Sequence, residues 1–363
     1  MLEYLQNLIS WLPLIAIYYV ALIPGKVYKA NKDFKVNPNI SIKLPPNLPR
    51  ALSKEQKEEQ VKENINRYLL NFSKVIEDKQ PEENLKLYKN HKSDVKINES
   101  TTNMIIHILI RMRPSGGFYS LKNNSVNLFS FNIYEHETIK TGPYHELFHM
   151  ASSYYDKQSK IMYCGFCQYQ LITQFLGKSI GISINEGYTQ TLAERYFNSN
   201  NSKQKISFTY ELSKNISKLL EKIIGQDKME NLYMNANLTG LIDELSILNE
   251  KENSLAFIQN TDYVFKHYDE SKYIPGTKKL ILDKIKEIQV FLVNTYIEKK
   301  LIEMENNQIT KEIFVSDASN FINDMQELFV IKKQNLYQFT REEILEIIKQ
   351  KLPQEIGFEG KSK

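Results

Sequence analysis

Thr-Gly-Pro-Tyr-His-Glu-Leu-Phe-His-Met, residues 141–150, is the stretch that says most about this chain. Gly142-Pro143 is typical of a loop that leads into a helix, because proline is tolerated in the first turn. No glycine or proline interrupts Tyr144 to Tyr155, so we predict a helix over that range. His145 and His149 would lie on one face of it, where both imidazoles can reach a single metal ion. The stretch therefore predicts a metal-binding helix.

Glu146 would lie beside that metal ion. A carboxylate there can accept a proton from a metal-bound water, which is the arrangement of zinc hydrolases and most often of zinc peptidases. The chain has only six histidines, so this spacing seldom arises by chance. The plainer alternative is a helix whose two histidines face solvent or each other.

A zinc hydrolase usually has three protein ligands and leaves the fourth position for water. Metzincins carry a glycine and a histidine three and six residues after the second histidine. Ser152 and Tyr155 stand there in this chain, which excludes that class. Downstream, the run from Ile184 to Phe197 begins like a capped helix and continues with good helix formers. It predicts a second helix, which carries Glu186 and Glu194.

With these two segments the chain resembles the gluzincins, the thermolysin-like zinc peptidases, over about residues 117–197. In that family a glutamate in an Asn-Glu-Gly or Asn-Glu-Ala setting on a second helix completes the zinc site, and Asn185-Glu186-Gly187 matches that setting. The resemblance implies one Zn²⁺ per chain and Glu146 as the general base of peptide hydrolysis. The zinc ligands that it implies are His145, His149 and Glu186.

Two further residues of the second helix leave alternatives open. Many gluzincins carry an acid four residues after the glutamate ligand, whereas this chain has Gln190, whose amide can still accept a hydrogen bond from an imidazole N–H. Glu194 is a rival third ligand. It lies two turns from Glu186 and about 80° around the helix, so one metal ion would not contact both. Its more ordinary role is to pair with a nearby lysine or arginine.

The resemblance also bears on the substrate. Residues 117–129 predict two short strands joined at an asparagine-rich turn, and gluzincin-like folds place an edge strand just before the active-site helix. Residues 125–129 are therefore our candidate for peptide docking by strand addition, the alternative being an ordinary hairpin. Gluzincins generally add a tyrosine or histidine that stabilises the oxyanion. Spacing does not choose among the tyrosines, which include Tyr188, Tyr196, Tyr210 and Tyr233.

Cys164 and Cys167 are the only cysteines. They could form a redox pair, although no thioredoxin-like βαβ pattern surrounds them. They could instead join His145 and His149 in a closed four-ligand structural zinc site, which would leave Glu146 without a role. The commonest role of such a pair is to fill space as small buried side chains.

The whole chain predicts an α+β fold. We expect a zincin-like catalytic domain over residues 51–200, with a small mixed β-sheet and the active-site helix, and then a mainly helical C-terminal lobe over residues 201–352. An apolar stripe from Ile216 to Ile224 predicts a helix that stops at Gly225. Two capping boxes are expected in this lobe, one formed by Asp227 and Glu230 and the other by Thr340 and Glu343.

The first 25 residues predict an uncleaved single-pass membrane anchor, with residues 8–24 as its apolar part. A proline-rich tether follows over residues 26–50. Lysines follow the apolar run and none precede it, which favours a body on the cytoplasmic side. The net charge of +4 comes from 47 basic and 43 acidic residues spread along the chain, so nucleic acid is not an expected partner.

Two hypotheses of function follow. The first is a membrane-tethered zinc endopeptidase that acts on a peptide or protein. The second is a catalytically silent zincin-fold protein that serves as a membrane-attached binding module. The intact Glu146 favours the first, because binding alone would not require it.

Overall fold

Helices and three small sheets make up an α+β fold in the computed structural model, which describes residues 54–99, 117–121, 124–128, 142–171, 177–197, 208–268 and 276–351. Residues from Glu58 onward group into one compact unit. Among the described residues, no helix has the length and apolar character that a membrane crossing requires. The expected anchor (residues 1–25) and tether (residues 26–50) lie outside the described residues.

The N-terminal part carries the first sheet. Its helices are α1 (Lys54–Lys79), a short 3₁₀ turn (Glu82–Leu85) and α2 (Lys86–Lys92), and its strands are β1 (Lys96–Glu99), β2 (Gly117–Ser120) and β3 (Ser125–Leu128). The strand order is β1-β3-β2, with β3 parallel to β1 and antiparallel to β2. The expected hairpin is therefore confirmed. The expectation of an edge strand is wrong for residues 125–128, because β1 and β2 pair with the two sides of β3 and are the outer strands of this sheet. Residue 129 lies outside the described residues.

The helix predicted to bind a metal is α3 (Gly142–Ala151), which is shorter than predicted because a strand begins at Ser153. Ser152 and Ser153 end it, since their hydroxyls donate to the carbonyls of Phe148 and His149. The aromatic residues that follow favour the extended conformation and pair with the next strand. A second, antiparallel sheet follows, in the order β4 (Ser153–Asp156), β5 (Ile161–Cys164), β6 (Cys167–Leu171) and β7 (Gly177–Ile180).

The second helix of the site is α4 (Ile182–Phe197), which begins two residues before the predicted start. Asn185 therefore does not cap it. The carboxylate of Asp262 takes that role instead, accepting hydrogen bonds from the backbone N–H groups of Gly181 (2.7 Å) and Ser183 (2.9 Å). A carboxylate also suits the positive end of the helix dipole. Because this cap comes from a distant part of the chain, local sequence could not reveal it.

The C-terminal part is helical, as predicted. Its helices are α5 (Phe208–Ile224), α6 (Gln226–Met234), α7 (Leu238–Leu248), α8 (Lys251–His267), α9 (Thr277–Glu305), α10 (Lys311–Leu328) and α11 (Arg341–Lys351), with a two-stranded ribbon of β8 (Val330–Ile331) and β9 (Gln334–Asn335). The helix predicted from the apolar stripe is α5, and it ends at Ile224, as expected. The capping box of Thr340 and Glu343 is confirmed by reciprocal hydrogen bonds.

The other capping box is wrong. The N-cap of α6 is Gly225, so Asp227 lies inside the helix, and the buried carboxylate of Glu230 binds Arg195 and the Tyr196 hydroxyl. That contact ties α6 to the end of α4, which helps to hold the second helix of the site against the helical part.

Candidate metal centre

Three side chains from two helices converge on one point. Nε2 of His145 lies 3.1 Å from Nε2 of His149 and 3.1 Å from Oε2 of Glu186, and the remaining side, from Nε2 of His149 to the same oxygen, measures 3.6 Å. Among the described residues, this is the one group of at least three histidine, cysteine or acidic side chains close enough to hold a metal ion. The three residues expected to be ligands are thus brought together.

The three distances suit a tetrahedral ion. With metal–ligand bonds of about 2.0–2.1 Å, the ligand atoms of a tetrahedral site lie about 3.3–3.4 Å apart. The observed separations of 3.1, 3.1 and 3.6 Å bracket that value. The histidine side chains are 7% and 9% exposed and that of Glu186 is 17% exposed, so the cluster is more open on the glutamate side. Such a site could hold a metal ion and leave a fourth position for another ligand.

Gln190 determines which nitrogen of His145 carries the hydrogen. Nδ1 of this ring lies 3.2 Å from Oε1 of Gln190, which can only accept, so Nδ1 donates. In the neutral ring the Nε2 lone pair then faces His149 and Glu186. A lone pair directed at a carboxylate oxygen needs a proton or a cation between the two atoms. The hydrogen bond to Gln190 was anticipated from the sequence, and it prepares His145 as a metal ligand.

Cys164 is the corresponding neighbour of His149. Its sulfur lies 3.4 Å from Nδ1 of that ring, on the side away from the cluster, and it accepts the Nδ1 hydrogen when Nε2 faces a cation. Both cysteines are free thiols. Neither sulfur belongs to the convergent group, so the arrangement does not resemble a closed site of two cysteines and two histidines.

A tight hairpin turn sets the position of Cys164. The chain reverses at Gly165-Phe166 between β5 and β6, and Gly165 has a positive φ of 52°. A Cβ at Gly165 would lie 2.3 Å from Oδ1 of Asn185, the atom that accepts the backbone N–H of Phe166. Asn185, the neighbour of the glutamate ligand, thereby ties the hairpin to α4. The Cys-x-x-Cys spacing arises from a β-hairpin turn between the two cysteines. The sequence analysis did not predict this turn.

The electrostatics of the cluster favour a cation. Burial alone would raise the pKa of Glu186, but the attraction of His149 and the close contacts with both imidazole rings outweigh it and hold that pKa well below its usual range. Burial would likewise lower the pKa of His149, yet Cys164 and Glu186 raise it well above the ordinary value. The metal-free cluster therefore keeps a negative carboxylate beside a ring that holds a proton tightly. A metal ion would take the place of that proton.

Glu146 points toward the same cluster from α3 and is only 8% exposed. Burial raises its pKa, and the two histidines oppose that rise only in part. The backbone N–H of Tyr119, in the outer strand β2 on the far side of β3 from β1, donates a hydrogen bond to this carboxylate. A buried carboxylate with a raised pKa beside a cation site is suited to accept and return a proton.

The structure also places Glu194 and the four tyrosines considered in the sequence. Glu194 lies outside the convergent group and pairs with Lys214, at 3.1 Å from Nζ to each carboxylate oxygen. Among the four tyrosines considered, Tyr210 has its ring centroid 6.0 Å from that of His145. The hydroxyls of the other three are hydrogen-bonded to Glu221, Glu230 and Thr189.

No family model, no curated protein and no solved structure matches this chain. The resemblance to gluzincins therefore rests on the sequence motifs alone.

Proposed function

We propose that this chain is a zinc-dependent peptidase whose metal centre is formed by His145, His149 and Glu186, with Glu146 as the general base. The observation that carries the proposal is the convergence of two imidazole nitrogens and a carboxylate oxygen beside a second, buried carboxylate. Under this proposal the part of the chain around α3 and α4 is a zincin-like catalytic domain, and the following helices form its C-terminal lobe.

Zinc is the metal that best suits the donor set. Two histidines and one glutamate are the ligands of several catalytic zinc sites, in which water occupies the fourth position. Hard cations such as Ca²⁺ and Mg²⁺ prefer all-oxygen surroundings. The greater exposure of Glu186 gives water and substrate a side from which to enter.

Zinc, when bound, would polarise a water molecule and the scissile carbonyl. Glu146 would accept the proton of that water and later donate it to the leaving amine. Its burial raises its pKa, which makes the protonated form easier to reach during turnover. The Tyr119 N–H holds the carboxylate in place for both transfers. Loss of such a base typically lowers the rate by about 10²–10⁴-fold.

The substrate would be an extended peptide that pairs with a sheet edge. Residues 125–128 cannot provide that edge, since β3 has a partner on both sides. We assign docking to β2 instead, because, of the two outer strands of the described sheet, it is the one whose Tyr119 contacts Glu146. Attachment to a membrane through residues 8–24, with the body on the cytoplasmic side, belongs to the same proposal and rests on the sequence alone.

Substitution of Glu146 tests the proposal. The purified wild type should contain about one zinc per chain and should cleave members of a broad peptide library. Glu146→Gln should retain the zinc and the melting temperature while losing cleavage about 10²–10⁴-fold. An equally active variant would refute the mechanism. A zinc-loaded wild type that cleaves no peptide would instead favour the silent binding protein.

A further inference from the structure

We propose that Glu194 is a positioning residue for the metal centre, which fixes the orientation of the Gln190 amide and through it the tautomer of His145. The inference rests on the metal site of the proposed function, and it does not depend on which substrate is cleaved.

The contacts form a continuous chain along α4. Oε1 of Gln190 lies 3.2 Å from Nδ1 of His145, and Nε2 of the same amide donates to Oε1 of Glu194 at 2.9 Å. Lys214, from α5, donates to both oxygens of Glu194 at 3.1 Å. Gln190 is only 4% exposed, so water does not readily replace these partners. Every link joins a donor to an acceptor.

The amide of Gln190 has a donor end and an acceptor end, and only one orientation suits a metal ligand. If the NH₂ group faced His145, Nδ1 would have to accept, and the ring hydrogen would move to Nε2. That hydrogen would point at Glu186 and occupy the space of the cation. The correct orientation therefore has to be enforced by whatever contacts the other end of the amide.

Glu194 enforces it because a carboxylate accepts hydrogen bonds and does not donate them. Only the NH₂ end of Gln190 can face it, so the carbonyl end is left for His145. Lys214 holds the carboxylate in this position. A charged acceptor also polarises the amide, which strengthens its carbonyl as an acceptor. A neutral glutamine thereby takes the place that a carboxylate has in many gluzincins.

The isosteric variant Glu194→Gln tests this directly, because a glutamine at position 194 donates as well as accepts and no longer selects one orientation. Zinc affinity, measured by competition with a chromophoric chelator, should fall by about three- to tenfold. That is less than the 10–100-fold typical of a residue that contacts the ligand itself. The matched control is Glu303→Gln in α9, which removes an ion pair with Lys300 of similar exposure and should leave zinc affinity unchanged.

The exchange variant, Gln190→Glu combined with Glu194→Gln, separates orientation from simple loss of structure. The new carboxylate at position 190 can only accept, from both His145 and the amide at position 194, so zinc affinity should return to at least the wild-type value. Wild-type affinity in Glu194→Gln, or no recovery in the exchange variant, would overturn the inference. A wild type that binds no zinc would instead refute the proposed function.

Discussion

Gly187, the residue after the glutamate ligand, should not tolerate a side chain. A Cβ at this position would lie 2.3 Å from the carbonyl carbon and oxygen of Ser213 and 2.7 Å from the backbone nitrogen of Lys214. These are backbone atoms of α5 and cannot rotate away. Ordinary contact begins near 3.4 Å, so Gly187→Ala would have to push α4 and α5 apart by about 1 Å.

The expected cost follows from that overlap. Overpacking of this kind typically costs about 1–3 kcal/mol, and alanine recovers about 1 kcal/mol through its higher helix propensity. Because the overlapping atoms are backbone, the cost should lie at the upper end of that range. We therefore expect a net loss of about 2 kcal/mol in the free energy of unfolding, or about 4–6 °C in melting temperature. Glu186 would move with the helix, and a metal site tolerates only about 0.2 Å in its bond lengths. Zinc affinity should therefore fall by about tenfold or more.

Calorimetry of the metal-free protein and a chelator competition would measure the two effects. Gly240→Ala in α7 is the matched control, because the atoms nearest to its new Cβ belong to the side chains of Asn237 and Leu232, which can shift. Its zinc affinity should equal that of the wild type. If Gly187→Ala kept wild-type stability and zinc affinity, the close approach of α4 and α5 would not position Glu186.

Three further outcomes are expected. Cys164→Ser with Cys167→Ser should retain one zinc per chain by elemental analysis, since a serine hydroxyl can still accept the Nδ1 hydrogen of His149; loss of the metal would favour a cysteine-ligated site. Tyr210→Phe should lower kcat by about 10²–10³-fold with little change in KM if its hydroxyl stabilises the oxyanion, and an unchanged kcat would remove it from that role. The rise in melting temperature on adding zinc should grow between pH 6 and pH 8. The raised pKa of His149 stabilises the metal-free protein fully below the unfolded-state pKa, and this contribution is lost as pH rises through the folded-state value. The lowered pKa of Glu186 contributes stability that is lost only at acid pH, as the pH falls through the folded-state value. It therefore does not change the stability between pH 6 and pH 8. If the rise in melting temperature on adding zinc did not vary with pH, this linkage would be contradicted.

Local patterns predicted the helices well. The spacing of His145 and His149 was enough to predict that both imidazoles lie on one face of the helix, because residues four apart on a helix always share a face. The long C-terminal helices follow from their apolar periodicity. The box of Thr340 and Glu343 forms because Lys286 binds only Oε1 of the Glu343 carboxylate and leaves Oε2 for the Thr340 N–H. The corresponding box at Glu230 fails because Gly225 is the N-cap of α6 and Arg195 binds the carboxylate.

Contacts between distant segments could not be predicted in this way. The central position of β3 depends on β1, about 30 residues earlier in the chain. The cap of α4 comes from Asp262, and the neighbour of His149 comes from a hairpin that places Cys164 beside Nδ1. Glu194 carried a local signal, since it follows Gln190 by four residues on the same helix, and side chains so spaced can bond to each other.

X-ray absorption at the zinc edge of the purified, zinc-loaded protein would show directly whether two histidines and a carboxylate bind the metal. The account predicts one zinc per chain, bound by two imidazole nitrogens at about 2.0–2.1 Å and by oxygen ligands at about 2.0–2.2 Å. His149→Ala should abolish that spectrum. Sulfur at about 2.3 Å from the zinc, or a protein that retains no zinc after removal of the excess, would contradict the account.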